Sequence, residues 1–391
     1  MHRSHSYALA AGTAVSAMLL LAACSGGSAS PSASTAAPAT ASVDLSDVCP
    51  ATVVVQTDWN PESDHGALYQ LLGSGYTADI AKKTVTGDLV INGESTGVKI
   101  QIRSGGPAIG YQSVTQQMYT DTSITMGYVS TDEALQNSAK LPTKAVFAET
   151  DKSPQMIMWD PATYPDVTDI KSLGTALAKS GGVVRYFKGA AYMSYLQGAG
   201  YLPASVLDGS YDGTPAKFVS AGGKDAQQGF ASAEPYIYEN EVGAWKKPVK
   251  FQLIYDTGYQ FYPESMSVRT ADEEKLAPCL KKLIPVMQQA DKDYFGDPTT
   301  ANTAILDLVT KYNNGWVYDQ ATADFGAKQY KDLKLVANGP SGYLGEMDSS
   351  RVQKVIDLST PIFTKGGTPP KSGLTPDDLF TNEYLDTTIK F

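Results

Sequence analysis

Histidine and cysteine are scarce in this chain, three of each in 391 residues. His2 and His5 sit at the very start, so His65 is the single imidazole in the body of the chain. A zinc or copper carrier built on clustered histidines has nothing to draw on, and neither a metal site nor a cofactor is expected. A serine hydrolase would have only His65 as base, and no Gly-x-Ser-x-Gly elbow occurs, so no catalytic residue is assigned. Positive charge is also short, with Lys+Arg 31 against Asp+Glu 41 and no basic run. That balance argues against nucleic acid and against electrostatic adsorption to anionic lipid. No internal repeat is visible.

The longest apolar stretch, Ala8 to Ala23, is too short to span a bilayer comfortably. It follows Arg3, holds no acidic residue and closes on Leu21-Ala22-Ala23-Cys24. A basic start, an apolar core and small residues at the cut read as a secretory signal peptide over 1–23. Cysteine at the cut resembles a bacterial lipobox, so Cys24 is expected to carry lipid. The alternative is an ordinary signal peptide with a coincidental cysteine. Residues 24–47 are mostly Ser, Ala, Gly, Thr and Pro and read as a flexible linker. The protein is then expected on the outer face of the bacterial cytoplasmic membrane, anchored by lipid and monomeric. In a compartment that permits disulfides, Cys49 and Cys279 either bridge or remain two buried thiols.

The folded part is expected from Val48 to Phe391, long enough for two lobes. Strand signals recur at Thr52–Thr57, Val98–Arg103, Ile124–Tyr128, Ala145–Ala148, Met156–Trp159, Val183–Phe187, Phe218-Val219 and Phe251–Tyr255. Helical signals lie between them at Gly66–Leu72, Tyr111–Tyr119 and Ala191–Gln197. The alternation predicts an α/β fold with mostly parallel sheets flanked by helices. Leu276, Leu280, Leu283 and Met287 share one helical face, with a helix start expected near Pro278 and a bend at Pro285.

Open α/β sheets bind ligands beyond the carboxyl ends of their strands, and polar segments sit at those positions. Asp58-Trp59-Asn60-Pro61-Glu62-Ser63-Asp64-His65 follows the first strand: Trp59 offers a stacking face, Asp58 an acceptor, His65 a donor. The structural alternative is a capped helix entry in which Asp64 caps and Trp59 packs inward. Ser104-Gly105-Gly106-Pro107 would bring backbone N–H groups close to a ligand, although Gly-Gly-Pro is also a common turn. Tyr128-Val129-Ser130-Thr131, Tyr186-Phe187-Lys188-Gly189 with nearby Tyr192, and Glu234-Pro235-Tyr236 take comparable places. The candidate ligand set is Asp58, Trp59, His65, Gly105, Gly106, Tyr128, Ser130, Thr131, Tyr186, Gly189, Tyr192, Glu234 and Tyr236.

Asp58-Trp59-Asn60-Pro61 with His65 after it resembles the nitrate/sulfonate/taurine and thiamine-pyrimidine branch of solute-binding proteins that serve ATP-binding-cassette importers. Ser104-Gly105-Gly106-Pro107, Thr122 to Ser130, Glu234-Pro235-Tyr236 and Asp377-Asp378-Leu379-Phe380-Thr381-Asn382-Glu383 continue the resemblance across most of Val48 to Phe391. It implies a two-lobed periplasmic-binding-protein-like fold of type II. Lobe 1 would comprise 48–158 and 261–391 and lobe 2 159–260, with the ligand cleft between them. It also implies a permease and an ATPase as partners, and a ligand-lining role for Asp58, Trp59 and His65. The chain departs from the family pattern at Ile124-Thr125-Met126-Gly127, where Asp-Ile/Val-Gly is usual, and carries an insertion over Thr84–Thr96.

The expected function is capture of a small polar solute by hinge closure, with a planar heterocycle such as a pyrimidine or another vitamin precursor favoured by Trp59. Arg103, Arg185 and Lys188 near strand ends favour instead an anion of the sulfonate or nitrate type. Readings of other classes are an exported enzyme using the carboxylates of Asp58 and Glu234, and a surface protein without transport.

Overall fold

The computed structural model describes residues 43–391. The expected signal peptide, the lipid on Cys24 and most of the 24–47 linker lie outside the described residues. Leu45 is already fully buried, and its N–H donates to the Thr96 carbonyl at 2.9 Å. Packing therefore begins before Val48, where the sequence placed the start of the folded chain. Among the described residues no helix is long and apolar enough to cross a membrane.

Among the described residues twelve strands form two sheets. In chain order they are β1 (Thr52–Gln56), β2 (Thr77–Asp79), β3 (Thr84–Ile91), β4 (Glu94–Arg103), β5 (Met126–Tyr128), β6 (Thr143–Ala148), β7 (Gln155–Trp159), β8 (Val184–Arg185), β9 (Leu207–Asp208), β10 (Ala226–Phe230), β11 (Lys250–Leu253) and β12 (Ser265–Arg269). The first sheet has the order β2-β3-β4-β1-β5-β12-β6 and the second β11-β7-β10-β8-β9. The chain leaves the first sheet after Ala148 and returns to it at Ser265, so two segments, 149–154 and 254–264, connect the sheets. Residues 155–158, assigned to lobe 1 from the sequence, pair within the second sheet instead.

Strand pairing is mixed rather than mostly parallel. β1 runs parallel to β4 and β5, and β8 parallel to β9 and β10. The remaining pairs are antiparallel. Two causes are visible. β3 and β4 are joined by Asn92-Gly93, both at positive φ (53° and 78°), which is the signature of a two-residue hairpin turn and forces an antiparallel pair. β7 and β12 each enter their sheet straight from the other one, without the crossover helix that sets a parallel neighbour. The Thr84–Thr96 insertion is this hairpin.

Burial explains the strands that were legible. Val98, Ile100 and Ile102 on β4 are buried, while Lys99 between them faces out. Phe218-Val219, expected as a strand, lies in a helix, Ala216–Ser220. Phe218 packs edge-on against Tyr238 and Trp245. Two apolar residues cannot by themselves distinguish a buried strand from a buried helix.

The helix expected near Pro278 runs from Glu273 to Gly296 and contains both Pro278 and Pro285. Glu273 and Glu274 open it, where negative charge favours the helix amino terminus. Its Cys279 is bonded to Cys49 across 230 residues of sequence. The free-thiol alternative therefore falls.

Candidate ligand-binding cleft

A cleft of about 380 Å³ opens between the two sheets, lined from both sides. β1 delivers Asp58 and Trp59 to its rim, β5 delivers Tyr128, and Ser130 follows just beyond. From the second sheet come Gly189 and Tyr192 after β8, and Gln228 and Glu234 on and after β10. Of the residues named from the sequence, Asp58, Trp59, Gly106, Tyr128, Ser130, Gly189, Tyr192 and Glu234 line this cleft together.

The other five stand behind it or elsewhere. His65 is only 1 % exposed and does not line the cleft, its Nε2 lying 2.7 Å from Asp58 Oδ1. Its ring stacks on Tyr128 at 5.2 Å. Thr131 spends both its groups on the second connecting segment. Its N–H donates to the Tyr262 carbonyl, and its hydroxyl accepts the Tyr262 N–H, each at 3.0 Å. Tyr186 donates its backbone N–H to Asp208 along the sheet edge. Tyr236 packs against Phe325. Gly105 is a spacer: a Cβ there would lie 2.3 Å from the Asp58 carbonyl carbon.

The glycine amides do not point at a ligand. Gly105 and Gly106 each donate at 2.8 Å, to the carbonyls of Trp59 and Asp58 respectively. Gly106 has φ +52°, and a Cβ would meet the Trp59 ring at 2.4 Å. The Ser104-Gly105-Gly106-Pro107 turn thus shapes the Asp58-Trp59 loop rather than serving as an anion cradle. Ser130 caps the helix that follows it, accepting the Glu133 N–H, and its hydroxyl donates to Asp132 at 2.6 Å.

Two groups of cleft residues escaped the sequence reading. The first is aromatic. Phe187 lies 5.3 Å from Trp59, 5.3 Å from Tyr111 and 4.7 Å from Tyr211, and Trp316 lies 6.0 Å from Trp59. Trp59 and Tyr111 come from the first-sheet side, Phe187 and Tyr211 from the second. The Tyr111 hydroxyl also donates to the Asp212 carbonyl at 2.7 Å, a hydrogen bond across the cleft mouth. Aromatic residues scattered over more than 250 positions leave no local pattern from which to find such a cluster.

The second group is acidic. Glu62, Asp132, Glu133 and Glu264 line the cleft with Asp58 and Glu234, and Asp64, Glu149 and Asp291 lie buried nearby. Burial raises Glu62 and Glu264 well above the ordinary carboxyl range, and the surrounding carboxylates raise them further. Glu149 is raised to about 7 by burial, although the Tyr128 hydroxyl it accepts and the charge of His65 hold it down. Glu234 is also raised to about 7, by burial, against the Phe230 N–H that its Oε2 accepts at 2.7 Å. Burial opposes the charged form of His65, but the hydrogen bond and charge of Asp58, with Asp64 and Glu149, outweigh it and raise its pKa. Glu62 lay inside the quoted Asp58–His65 segment and could have been noticed. Glu264 stands alone in sequence and gave no signal.

The arginines proposed for an anion are engaged elsewhere. Arg103 pairs with Asp121 at 2.7 Å and Ser123 at 3.0 Å, in a separate hollow beside β4. Arg185 bridges Asp208 and Asp225 at 2.5 and 2.6 Å. Lys188 lines the cleft and is exposed. Donor atoms of Asp58, His65 and Glu264 lie within 4.8 Å of one another, a set that chemically could hold a divalent cation.

No family model and no curated protein matches the chain. Solved structures do. The alkanesulfonate-binding protein SsuA of Xanthomonas axonopodis pv. citri, bound to MOPS, is 12% identical with TM-score 0.54, covering 85% of this chain and 99% of that one. The periplasmic nitrate-binding protein NrtA of Synechocystis PCC 6803 is 13% identical with TM-score 0.52, covering 85% and 87%. The zinc-bound ligand-binding component of an ABC-type import system from Staphylococcus aureus is 12% identical with TM-score 0.50, covering 86% and 99%. Two sheets flanked by helices, joined by two connections with a cleft between them, thus take the fold of the periplasmic binding proteins.

Proposed function

We propose that the protein is the extracytoplasmic solute-binding component of an ABC importer, held to the membrane by lipid on Cys24. It captures a small polar solute by closing two lobes around it. The observation that carries this reading is the cleft itself, walled by both sheets and spanned at its mouth by the Tyr111–Asp212 hydrogen bond. A ligand that touches both walls favours the closed arrangement, and a permease that recognises that arrangement receives the solute. The fold neighbours support it, since those named above are binding proteins or a ligand-binding component. They also make an exported enzyme or a surface protein without transport the poorer reading.

A planar heterocycle remains the favoured solute, with the Trp59 face as its platform. An anion of the sulfonate or nitrate type fits less well, because Arg103 and Arg185 are already paired outside the cleft. A thermal-shift screen against pyrimidines, thiamine, riboflavin, taurine, alkanesulfonates and nitrate tests the reading. A solute that binds only the folded state raises the melting temperature once its concentration passes its Kd. A shift with any solute supports a receptor. No shift with these or with a broad metabolite set at millimolar concentration overturns it.

A further inference from the structure

The charge of the cleft is one-sided. Among the described residues six carboxyl groups line it, those of Asp58, Glu62, Asp132, Glu133, Glu234 and Glu264, against the single exposed ammonium of Lys188. Four of the six have donors of their own. Asp58 has His65, Asp132 has the Ser130 hydroxyl and Glu133 N–H, Glu133 has the Thr115 N–H, and Glu234 has the Phe230 N–H.

Glu62 and Glu264 have none. Glu264 is 2 % exposed, and its Oε2 is buried without a hydrogen-bond partner, 4.0 Å from His65 Nε2. Glu62 is 6 % exposed, lines the cleft and accepts no side-chain hydrogen bond among the described residues. A buried polar group without a partner is costly, and in a native protein it calls for a ligand, an ion or water to complete it. Beside these two acids stands the aromatic wall of Trp59, Tyr111, Phe187 and Tyr211, whose ring faces attract positive charge.

Each half of this lining narrows the ligand. An anion would find no buried cation in this lining, only the exposed Lys188. The aromatic faces favour a flat or cationic group. The unmet Glu264 acceptor takes a hydrogen-bond donor, which a quaternary ammonium lacks. We infer that the cleft selects a flat organic cation bearing N–H donors, an amidinium or a protonated amino-heterocycle, with Glu62 and Glu264 receiving its N–H groups and the Trp59–Phe187 wall its face. The inference rests on the solute-binding reading and gives its ligand a charge. The raised proton affinity of Glu62 and Glu264 agrees with it, since both lack a counter-charge that such a ligand brings.

Three phenyl probes of different charge test it by calorimetry on the full chain at neutral pH: benzamidinium, neutral benzamide and anionic benzenesulfonate. Benzamidinium is expected to bind at least about 10-fold more tightly than benzamide, with benzenesulfonate weakest. Glu264→Gln is expected to bring the benzamidinium-to-benzamide ratio to within about 2-fold. Should that variant not fold, the wild-type ratio decides alone. Equal or better binding of benzamide or benzenesulfonate overturns the cation, as does the absence of binding by all three at about 10 mM. Zinc chloride binding that blocks benzamidinium and is lost in His65→Ala also overturns it, assigning the acids to a metal. The receptor reading is judged separately: a neutral or anionic solute that raises the melting temperature leaves the receptor standing and removes the cation.

Discussion

Arg351 grips both connections between the sheets, and its Nη1 lies 2.6 Å from Asp151 Oδ1 in the first of them. The same guanidinium donates through Nε to the Gln260 carbonyl at 2.6 Å and through Nη2 to the Phe261 carbonyl at 3.1 Å in the second. Its plane lies over the Tyr262 ring at 3.8 Å. One planar fork therefore sets the spacing of the two segments about which the lobes would have to turn.

Arg351→Ala leaves the Asp151 carboxylate and the carbonyls of Asp151, Gln260 and Phe261 without their donor in a partly buried place. Unfolding in urea should show a loss of about 2–4 kcal/mol, with Arg351→Lys recovering less than half because an ammonium cannot serve both segments. A loss below about 0.5 kcal/mol would mean that the contact is dispensable.

Tyr111→Phe removes the hydroxyl that reaches the Asp212 carbonyl and keeps the ring against Phe187. A net hydrogen bond is worth about 0.5–1.5 kcal/mol, so the apparent Kd for a solute found by the screen should rise by about 2- to 10-fold. The melting temperature without solute should change little. An unchanged Kd would show that the bond is no part of closure.

Glu149 and Glu234 at about 7, with Asp64 and Asp132 at about 6, bind protons in the folded protein that the unfolded chain has already released. Their contribution to stability is complete below the ordinary carboxyl range and is lost as pH rises through about 6 to 7. His65, also raised, acts in the same direction. Scanning calorimetry should therefore find the solute-free protein melting at least about 3 °C higher at pH 5.5 than at pH 8. A melting temperature that increases over this range would contradict the buried acids.

Much of this arrangement was legible because it is local. Val98, Ile100 and Ile102 announce their strand by alternation, and the Asp58–His65 segment announces itself by following β1. Thr131 and Tyr186 were legible as residues after strands, but a position after a strand does not say which way a side chain turns. Thr131 turned its hydroxyl to Tyr262, and Tyr186 is absent from the cleft lining. Glu264 and Tyr211 reach the cleft through tertiary packing between distant segments, which no window of sequence records, whereas Phe187 stood inside the Tyr186–Gly189 segment. The mixed pairing was hidden for a related reason: the alternation of strands and helices does not say which strands cross to the other sheet.

Reducing the Cys49–Cys279 bond releases a constraint that spans 230 residues. Such a crosslink removes much of the freedom of the unfolded chain, and its loss should cost about 2–5 kcal/mol. Thermal unfolding with and without dithiothreitol, beside Cys49→Ser/Cys279→Ser, measures it. Equal melting temperatures would leave the bond without a stabilising role.

That bond has a mechanical side. Tension applied at Val43 would enter through Leu45, buried beneath the β4 strand, and Lys282 would share it through Asp47 at 2.9 Å. Six residues on, it would pass covalently into the long Glu273–Gly296 helix, whose Leu280, Leu283 and Ile284 are buried and which packs against β6 of the first sheet. The load would end in the body of one lobe, upstream of both the Asp151 and Gln260 connections. Pulled from that end, as the proposed lipid on Cys24 would pull it, the protein would keep its two connecting segments slack, so the proposed closure would proceed under load.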